Sequence, residues 1–580
     1  MRSQFQILPT SPLAGPIQPH WGPPALWAIL GLCGLLFATS ASGGGLAQES
    51  TPLPKDRPFD ARDVAPAPPP PTATIFRVTL EPAAAASARD SLQADRTAQP
   101  RLLILLCERS GRMRREDPLS APFFQRPQPI LSIPITSKAI TDANVFLLGA
   151  DHPQIAMVPD RLDRLNGRFL ARAVLDLGLK RSHAASGNPV SPPTEIIFRA
   201  GVAQTFDLSI NSVLPEDPLP ERDNLQWIEI ESPILTKALE RPVFHRAGVA
   251  FPPAYFDIDA ARRFWPVIYV IPGFGGNHRD AARFARMLDD PAMRAVLPQA
   301  IWIVLDPDDR LGHHGFVDSD NFGPRATALV EELIPWLERR FRLISSPEGR
   351  FLTGHSSGGW SSLWLQLQHP ETFGGAFSSA PDPVDFSAFG TVDLTTDHDM
   401  FSDDQGRPHP SYRTPLSDTQ DRVMMTIEEE IAMERSLSPD FTSGEQWGAW
   451  NAMFSRRDSN TGLPVPAFDL QTGLIDRVVI DRDWSRYDIS RLIREDPDQY
   501  GPILRDHVRL ICGDADSYYL NRAVEQLIKT SDAARAGLES PEGPGFIELV
   551  PGATHNTVVP FAIRRFYSEL RRMADEAPDS

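Results

Sequence analysis

Cysteine is scarce: three in 580 residues. That excludes a disulfide-stapled scaffold or a zinc ribbon. Positive charge is in deficit too, with 57 Lys+Arg against 75 Asp+Glu and a net charge of −18. This argues against a nucleic-acid binder, which needs a basic face. Beyond the N-terminus no apolar run reaches the ~18 residues of a membrane span, so a polytopic membrane protein is excluded. No repeat at a period of ~20–50 residues is visible.

What remains is a chain with 41% hydrophobic residues, enough for sizeable cores, and with 57 prolines. At roughly 150 residues per domain, its length corresponds to about two to four domains. Ala25 to Ala38 reads ALWAILGLCGLLFA, an apolar stretch of 14 residues followed by small residues. That length suits the core of a secretory signal rather than a spanning helix. The expectation is a signal peptide over 1–47 with cleavage after Ala41 or Ala47, and a periplasmic or extracellular protein. An uncleaved membrane anchor is the alternative. Residues 48–73 form a Pro-rich linker, extended around Val64 to Thr72. After signal removal Cys107 and Cys512 remain, in different domains, so no disulfide is expected between them.

From 74 to 222 short apolar runs alternate with turn residues. Ile75 to Leu80, Arg101 to Cys107, Ala143 to Leu148, Glu195 to Arg199 and Gln204 to Ile210 read as strands. This spacing predicts a β-sandwich-like accessory domain, one that binds carbohydrate or packs on its neighbour. From 223 to 580 strands alternate with helices. Phe264 to Ile271, Ala300 to Leu305, Val508 to Cys512 and Phe546 to Val550 read as strands. Helical periodicity runs over His278–Leu297, Arg325–Phe341, Gly359–Gln368 and Pro560–Met573. The pattern predicts an α/β fold with a mainly parallel sheet covered by helices on both faces. Residues 381–505 interrupt the rhythm, with a helix near Arg422–Ser436 and the aromatics Trp447, Trp450 and Phe454. An insertion here sits over the carboxyl ends of the strands and reads as a lid, with a satellite packed against the core as the alternative.

Gly354-His355-Ser356-Ser357-Gly358 follows the apolar Phe351-Leu352 and opens a helix. Small residues flanking Ser356 permit a tight strand-to-helix turn that exposes the hydroxyl at a helix N-terminus. A serine needs a base, and the chain order for this turn is serine, acid, histidine. Asp516 follows a strand 160 residues after Ser356, and His555 follows the next strand 39 residues later. Asp516 orients the imidazole; His555 moves the proton. Asp514 is the rival acid. His355 reads as packing or gating, and His313-His314 as loop rather than metal ligands. The oxyanion donors are the N–H of Ser357 and, in the loop Pro272 to Gly276, the N–H of Phe274.

On these residues the sequence resembles the putative-esterase family of α/β-hydrolases, which includes esterase D-like, enterochelin esterase-like and feruloyl esterase-like enzymes. The resemblance covers about 225–380 and 505–575. It rests on Val267 to Gly276 (VIYVIPGFGG), on Asn321 to Glu338 with its Val330 to Pro335 core, on Gly354 to Gly358, on Gly513 to Leu520 (GDADSYYL) and on His555. It implies an α/β-hydrolase fold, a triad of Ser356, Asp516 and His555, and no cofactor or metal. The expected activity is hydrolysis of a small-molecule or carbohydrate-linked carboxylic ester through an acyl-enzyme. Acyl transfer by the same triad, or a catalytically inactive carbohydrate- or surface-binding protein on this scaffold, are the alternatives. Neither the substrate nor the oligomeric state is legible. No nucleic acid is expected as partner, and a membrane only if the N-terminal segment stays as an anchor.

Overall fold

The computed structural model describes residues 73–577, apart from 96–97, 123–125, 143 and 418–419. The signal segment, and the linker up to residue 72, lie outside the described residues.

The α/β part is built on eight strands: β1 (Leu225–Glu231), β2 (Phe244–Ala250), β3 (Val267–Ile271), β4 (Ile301–Leu305), β5 (Arg350–His355), β6 (Gly375–Ser379), β7 (Val508–Gly513) and β8 (Phe546–Val550). They lie in the order β1-β2-β4-β3-β5-β6-β7-β8. The β1–β2 and β2–β4 pairs are antiparallel, and every later pair is parallel. β3 (VIYVI) and β4 (IWIVL) are buried at every position. Helices cover both faces, so neither strand can afford the polar alternation of a half-exposed sheet. The order of β3, β4 and β5 leaves the ends of β3 and β5 side by side, where two catalytic loops must meet.

The helices depart from the periodicity at prolines. The predicted helix His278–Leu297 is two helices, Ala281–Asp289 and Pro291–Arg294. Asp290 breaks it: its carboxylate accepts from the N–H of Ala292 (2.8 Å), and Pro291 begins the next turn. The helix over Arg325–Arg340 runs through but widens into a π turn at Leu329–Leu333, just before Pro335, which has no N–H to give.

The N-terminal region is rich in sheet. Val145–Gly149, Ile75–Leu80 and Thr205–Ile210 make one three-stranded sheet; Arg101–Glu108 and Gly167–Asp176 pair at the centre of a larger one. Phe76 and Val78 of the smaller sheet share a core with Leu102, Ile104, Leu106, Phe169 and Phe198 of the larger. Helix Pro82–Ala94, absent from the sequence reading, closes that core with Ala84, Ala88 and Leu92. After Arg101, which pairs with Asp176 (2.8 Å), the run LLILLC is apolar because both of its faces are covered. Leu102, Ile104 and Leu106 face this core; Leu103 and Leu105 face outward and meet Leu437 of the 381–505 insertion. Leu437 is 1% exposed, and burying such a side chain contributes about 2 kcal/mol.

The insertion is well packed. Hairpin Pro410–Ser417/Gln420–Thr426 leads into helix Ile427–Leu437 through a Thr426–Glu429 capping box. Helix Gln446–Phe454 buries Trp447, Trp450 and Phe454 against Phe386, Phe389 and Trp484. Cys107 and Cys512 are buried free thiols. No helix among the described residues is long and apolar enough to cross a membrane.

Candidate active site

The turn after β5 carries Ser356 at φ 60°, ψ −126°, a left-handed conformation that costs a non-glycine residue energy. Its neighbours hold it there. The Ser356 N–H donates to Ser379 O of β6 (2.9 Å), and the Trp360 N–H returns to Ser356 O (3.0 Å). The two motif glycines are dictated by space. A Cβ on Gly358 would lie 2.0 Å from Ile271 O of β3, and one on Gly354 would lie 2.1 Å from Gly358 O. Only bare backbone lets helix Ser357–Gln368 start this close to the sheet.

Asp516 and His555 come together as the sequence order predicts. Asp516 is fully buried in the loop after β7. Its Oδ1 accepts from the N–H of Tyr518 (2.8 Å) and of Leu520 (3.4 Å), while Oδ2 lies 2.8 Å from His555 Nδ1. The rival acid points elsewhere: Asp514 is exposed and accepts from the Gly552 N–H at 2.7 Å. With Nδ1 engaged, Nε2 is the nitrogen of His555 left for proton transfer. His555 packs against Tyr518 edge-on (ring centroids 4.9 Å) and against His355 (4.4 Å). His355, whose Nδ1 lies 3.1 Å from Ser379 Oγ, is kept uncharged by burial, which pushes its pKa well down. Among the described residues no hydrogen bond joins Ser356 Oγ to His555. Such serine–histidine contacts are commonly loose before substrate enters.

The loop after β3 lies against the elbow: a Cβ on Gly273 would be 2.8 Å from His355 O and 3.3 Å from Ser356 Cβ. Phe274 is the next residue of this loop. As the first residue of its helix, Ser357 has an N–H without an intrahelical partner. The pair His313-His314 is structural. His313 Nε2 bonds Pro272 O (2.9 Å), bracing this loop, and burial lowers its pKa to about 4. His314 Nδ1 accepts from the Phe316 N–H (3.1 Å). Among the described residues no group of His, Cys, Asp or Glu has a metal-binding arrangement.

Sequence reasoning missed Asp382. It is buried just beyond β6, a strand whose small residues (GAFSS) gave no signal. Asp382 Oδ2 accepts from Ser357 Oγ (2.7 Å), Trp450 Nε1 (2.9 Å) and Gln446 Nε2 (3.4 Å). Burial raises its pKa, and these donors, the nearby His555 and the Ser356 hydroxyl oppose the rise. The carboxylate thus joins the elbow to the insertion. A second anchor comes from the hairpin: Arg413 donates through Nε to Asp516 O (2.8 Å), and through Nη1 to Asp421 (2.7 Å). Tyr412 packs at a tilt against Tyr518 (ring centroids 5.1 Å). The insertion therefore grips both the nucleophile turn and the acid loop.

Comparison with known proteins identifies the family. A family model described as Putative esterase matches residues 245–535. Two curated relatives, both an esterase of Mycobacterium tuberculosis from different strains, are 31% identical over 129 residues, which is 21% of this chain and 26% of each relative. The match therefore spans about a quarter of those relatives' length. Among solved structures, a ferulic acid esterase is 14% identical, covering 60% of this chain and 98% of that one at a TM-score of 0.36. An S-formylglutathione hydrolase from Agrobacterium tumefaciens is 15% identical, covering 60% and 94%, at a TM-score of 0.32. With its strand order, its Gly354–Gly358 elbow and a family match over half its length, the chain belongs to the putative esterase family.

Proposed function

We propose that this protein is an exported serine hydrolase that cleaves carboxylic esters through an acyl-enzyme. The observation that carries the reading is the 2.8 Å contact between Asp516 and His555 Nδ1, beside a serine on a strained strand-to-helix turn. His555 Nε2 takes the proton of Ser356 as Oγ attacks the ester carbonyl carbon. The negative oxygen that forms is received by the N–H groups of Ser357 and Phe274. The intermediate collapses: the C–O bond to the alcohol breaks, and His555 returns the proton to the leaving oxygen. Water then repeats the sequence on the acyl-enzyme, with His555 again as base, releasing the acid and free Ser356. Asp516 fixes the tautomer that presents Nε2 as acceptor and stabilises the transient imidazolium.

Asp382 holds Ser357, and so the N–H that Ser357 contributes. The apolar stretch from Ala25 to Ala38 supports export. The test is reaction of the purified protein with a fluorophosphonate, read by intact mass and peptide mapping. A single adduct on Ser356, absent from Ser356→Ala, is expected. A folded protein that takes up no label and hydrolyses no ester in a panel of short acyl esters defeats the reading.

A further inference from the structure

The N-terminal region supplies one side chain to the catalytic half of the molecule. Arg181 follows strand Gly167–Asp176, and its guanidinium lies 5.1 Å from the ring centroid of Phe274. The same guanidinium donates through Nε to Asp308 (3.2 Å), in the loop after β4. Its stem is pressed against the insertion, where a Cβ on Gly444 would come within 2.7 Å of Arg181 Cγ. Arg181 is thus wedged between three segments of the hydrolase half: the loop carrying Phe274, the loop after β4, and the start of helix Gln446–Phe454. Its side chain is 17% exposed, and that of Asp308 19%.

The Phe274 loop is braced elsewhere too. His313 bonds the carbonyl of Pro272, and His278, just beyond the loop, has Nδ1 2.9 Å from Asp306. Asp306 in turn accepts from the Asp308 N–H (3.3 Å). These braces hold the two ends of the loop, and Arg181 holds its tip. A guanidinium over a ring face attracts it, more strongly as water is excluded. An oxyanion donor is worth most when its position is fixed before the charge forms.

We propose that Arg181 is a positioning residue: through Phe274 and Asp308 it fixes the loop that donates to the oxyanion, so the N-terminal domain is part of the catalytic apparatus. This rests on the serine-hydrolase reading. It assigns the domain a role in the rate of the reaction, separate from any carbohydrate it binds.

The experiment uses the full-length protein with Arg181→Met, Arg181→Lys and Leu437→Ala. Arg181→Met keeps an unbranched apolar stem and removes the cation. Leu437→Ala weakens the packing between N-terminal domain and insertion away from Phe274. Two quantities are read with melting temperature: kcat and KM on p-nitrophenyl acetate, and the Kd of a phenylboronic acid, whose tetrahedral adduct on serine needs the oxyanion donors. Arg181→Met is expected to lower kcat and raise the boronate Kd together, by roughly 10- to 100-fold, with KM within twofold. Arg181→Lys recovers part of both, because it keeps a cation on the ring. Leu437→Ala lowers the melting temperature and leaves the boronate Kd within twofold.

Arg181→Met with kcat and boronate affinity near wild type overturns the proposal. So does a rise in KM alone, which makes Arg181 a substrate contact. Should Arg181→Met fail to fold, Arg181→Gln, which also removes the cation, decides, and wild-type kcat together with a wild-type boronate Kd overturns the proposal. Equal losses in Leu437→Ala and Arg181→Met also overturn it, since loosening the interface would then suffice. A wild type that is inert towards both esters and fluorophosphonate defeats the hydrolase reading itself.

Discussion

Replacing Asp516 with Asn separates the two candidate acids. Asp516 Oδ1 is tied by the N–H groups of Tyr518 (2.8 Å) and Leu520 (3.4 Å). In the Asn side chain the carbonyl oxygen must occupy that site, because two N–H donors face it. The amide nitrogen then takes the place of Oδ2, 2.8 Å from His555 Nδ1. Two donors cannot share that contact, so the imidazole adopts the tautomer protonated on Nε2. His555 can then no longer accept the serine proton. A loss of kcat of about 10⁴-fold is expected, equivalent to about 5.4 kcal/mol of transition-state stabilisation. Asp514→Asn keeps an acceptor for the Gly552 N–H at an exposed position, so the change is limited to less than about tenfold. The assay is kcat/KM on a small activated ester between pH 6 and 9, with fluorophosphonate labelling rate as a second readout. Comparable losses in the two variants, or a fall below about 100-fold in Asp516→Asn, refute the assignment of the acid.

Three further outcomes are expected. Gly358→Ala forces a Cβ to within 2.0 Å of Ile271 O and 2.8 Å of Pro272 O, both backbone atoms that cannot yield cheaply. It should cost about 1–3 kcal/mol or more and abolish turnover. An unchanged melting temperature with full activity contradicts the close approach of elbow and β3. Glu445 is buried between Arg181 and Glu430, and burial raises its pKa to about 7, against 4.5 for the free group. Between these values the native state holds a proton that the unfolded chain has lost, so stability falls as pH rises through this window. Glu445→Gln should flatten the decline in melting temperature from pH 5 to 8, and an unaltered slope counts against it. The thiols of Cys107, pushed up to about 11, and of Cys512 should resist alkylation in the native protein and react on unfolding, as followed by peptide mapping. Native labelling at Cys107 would mean that strand Arg101–Glu108 opens.

Part of this architecture is legible in the sequence because its signal is local. VIYVI and IWIVL announce buried strands, and the glycines around Ser356 announce the turn. Asp516 and His555 are readable because each lies just past a recognisable strand. Other parts are invisible for stated reasons. β6 has a single large apolar residue, Phe377, among Gly375, Ala376 and two serines, and is stabilised as a strand by pairing with β5 and β7. Helix Pro82–Ala94 is rich in alanine, which carries little amphipathic contrast. The helix expected from Arg422 begins at Ile427, because hairpin pairing claims Gln420–Thr426; the Thr426–Glu429 capping box marks the true start. Asp382 and Arg181 carry no local signature. Their importance comes from neighbours far away in the chain: Trp450 for one, Phe274 and Asp308 for the other.

The two-sided burial of strand Arg101–Glu108 has a consequence for biogenesis. Leu105 leaves the ribosome 332 residues ahead of Leu437. Its own domain covers part of the outer face of Leu103 and Leu105 with Ala121, Ile130, Val174 and Val190. At about 5–20 residues per second, the remaining cover from Leu437 follows roughly 15–70 s later. The N-terminal sheet can therefore form early, but its outer face is completed only when the insertion has been made.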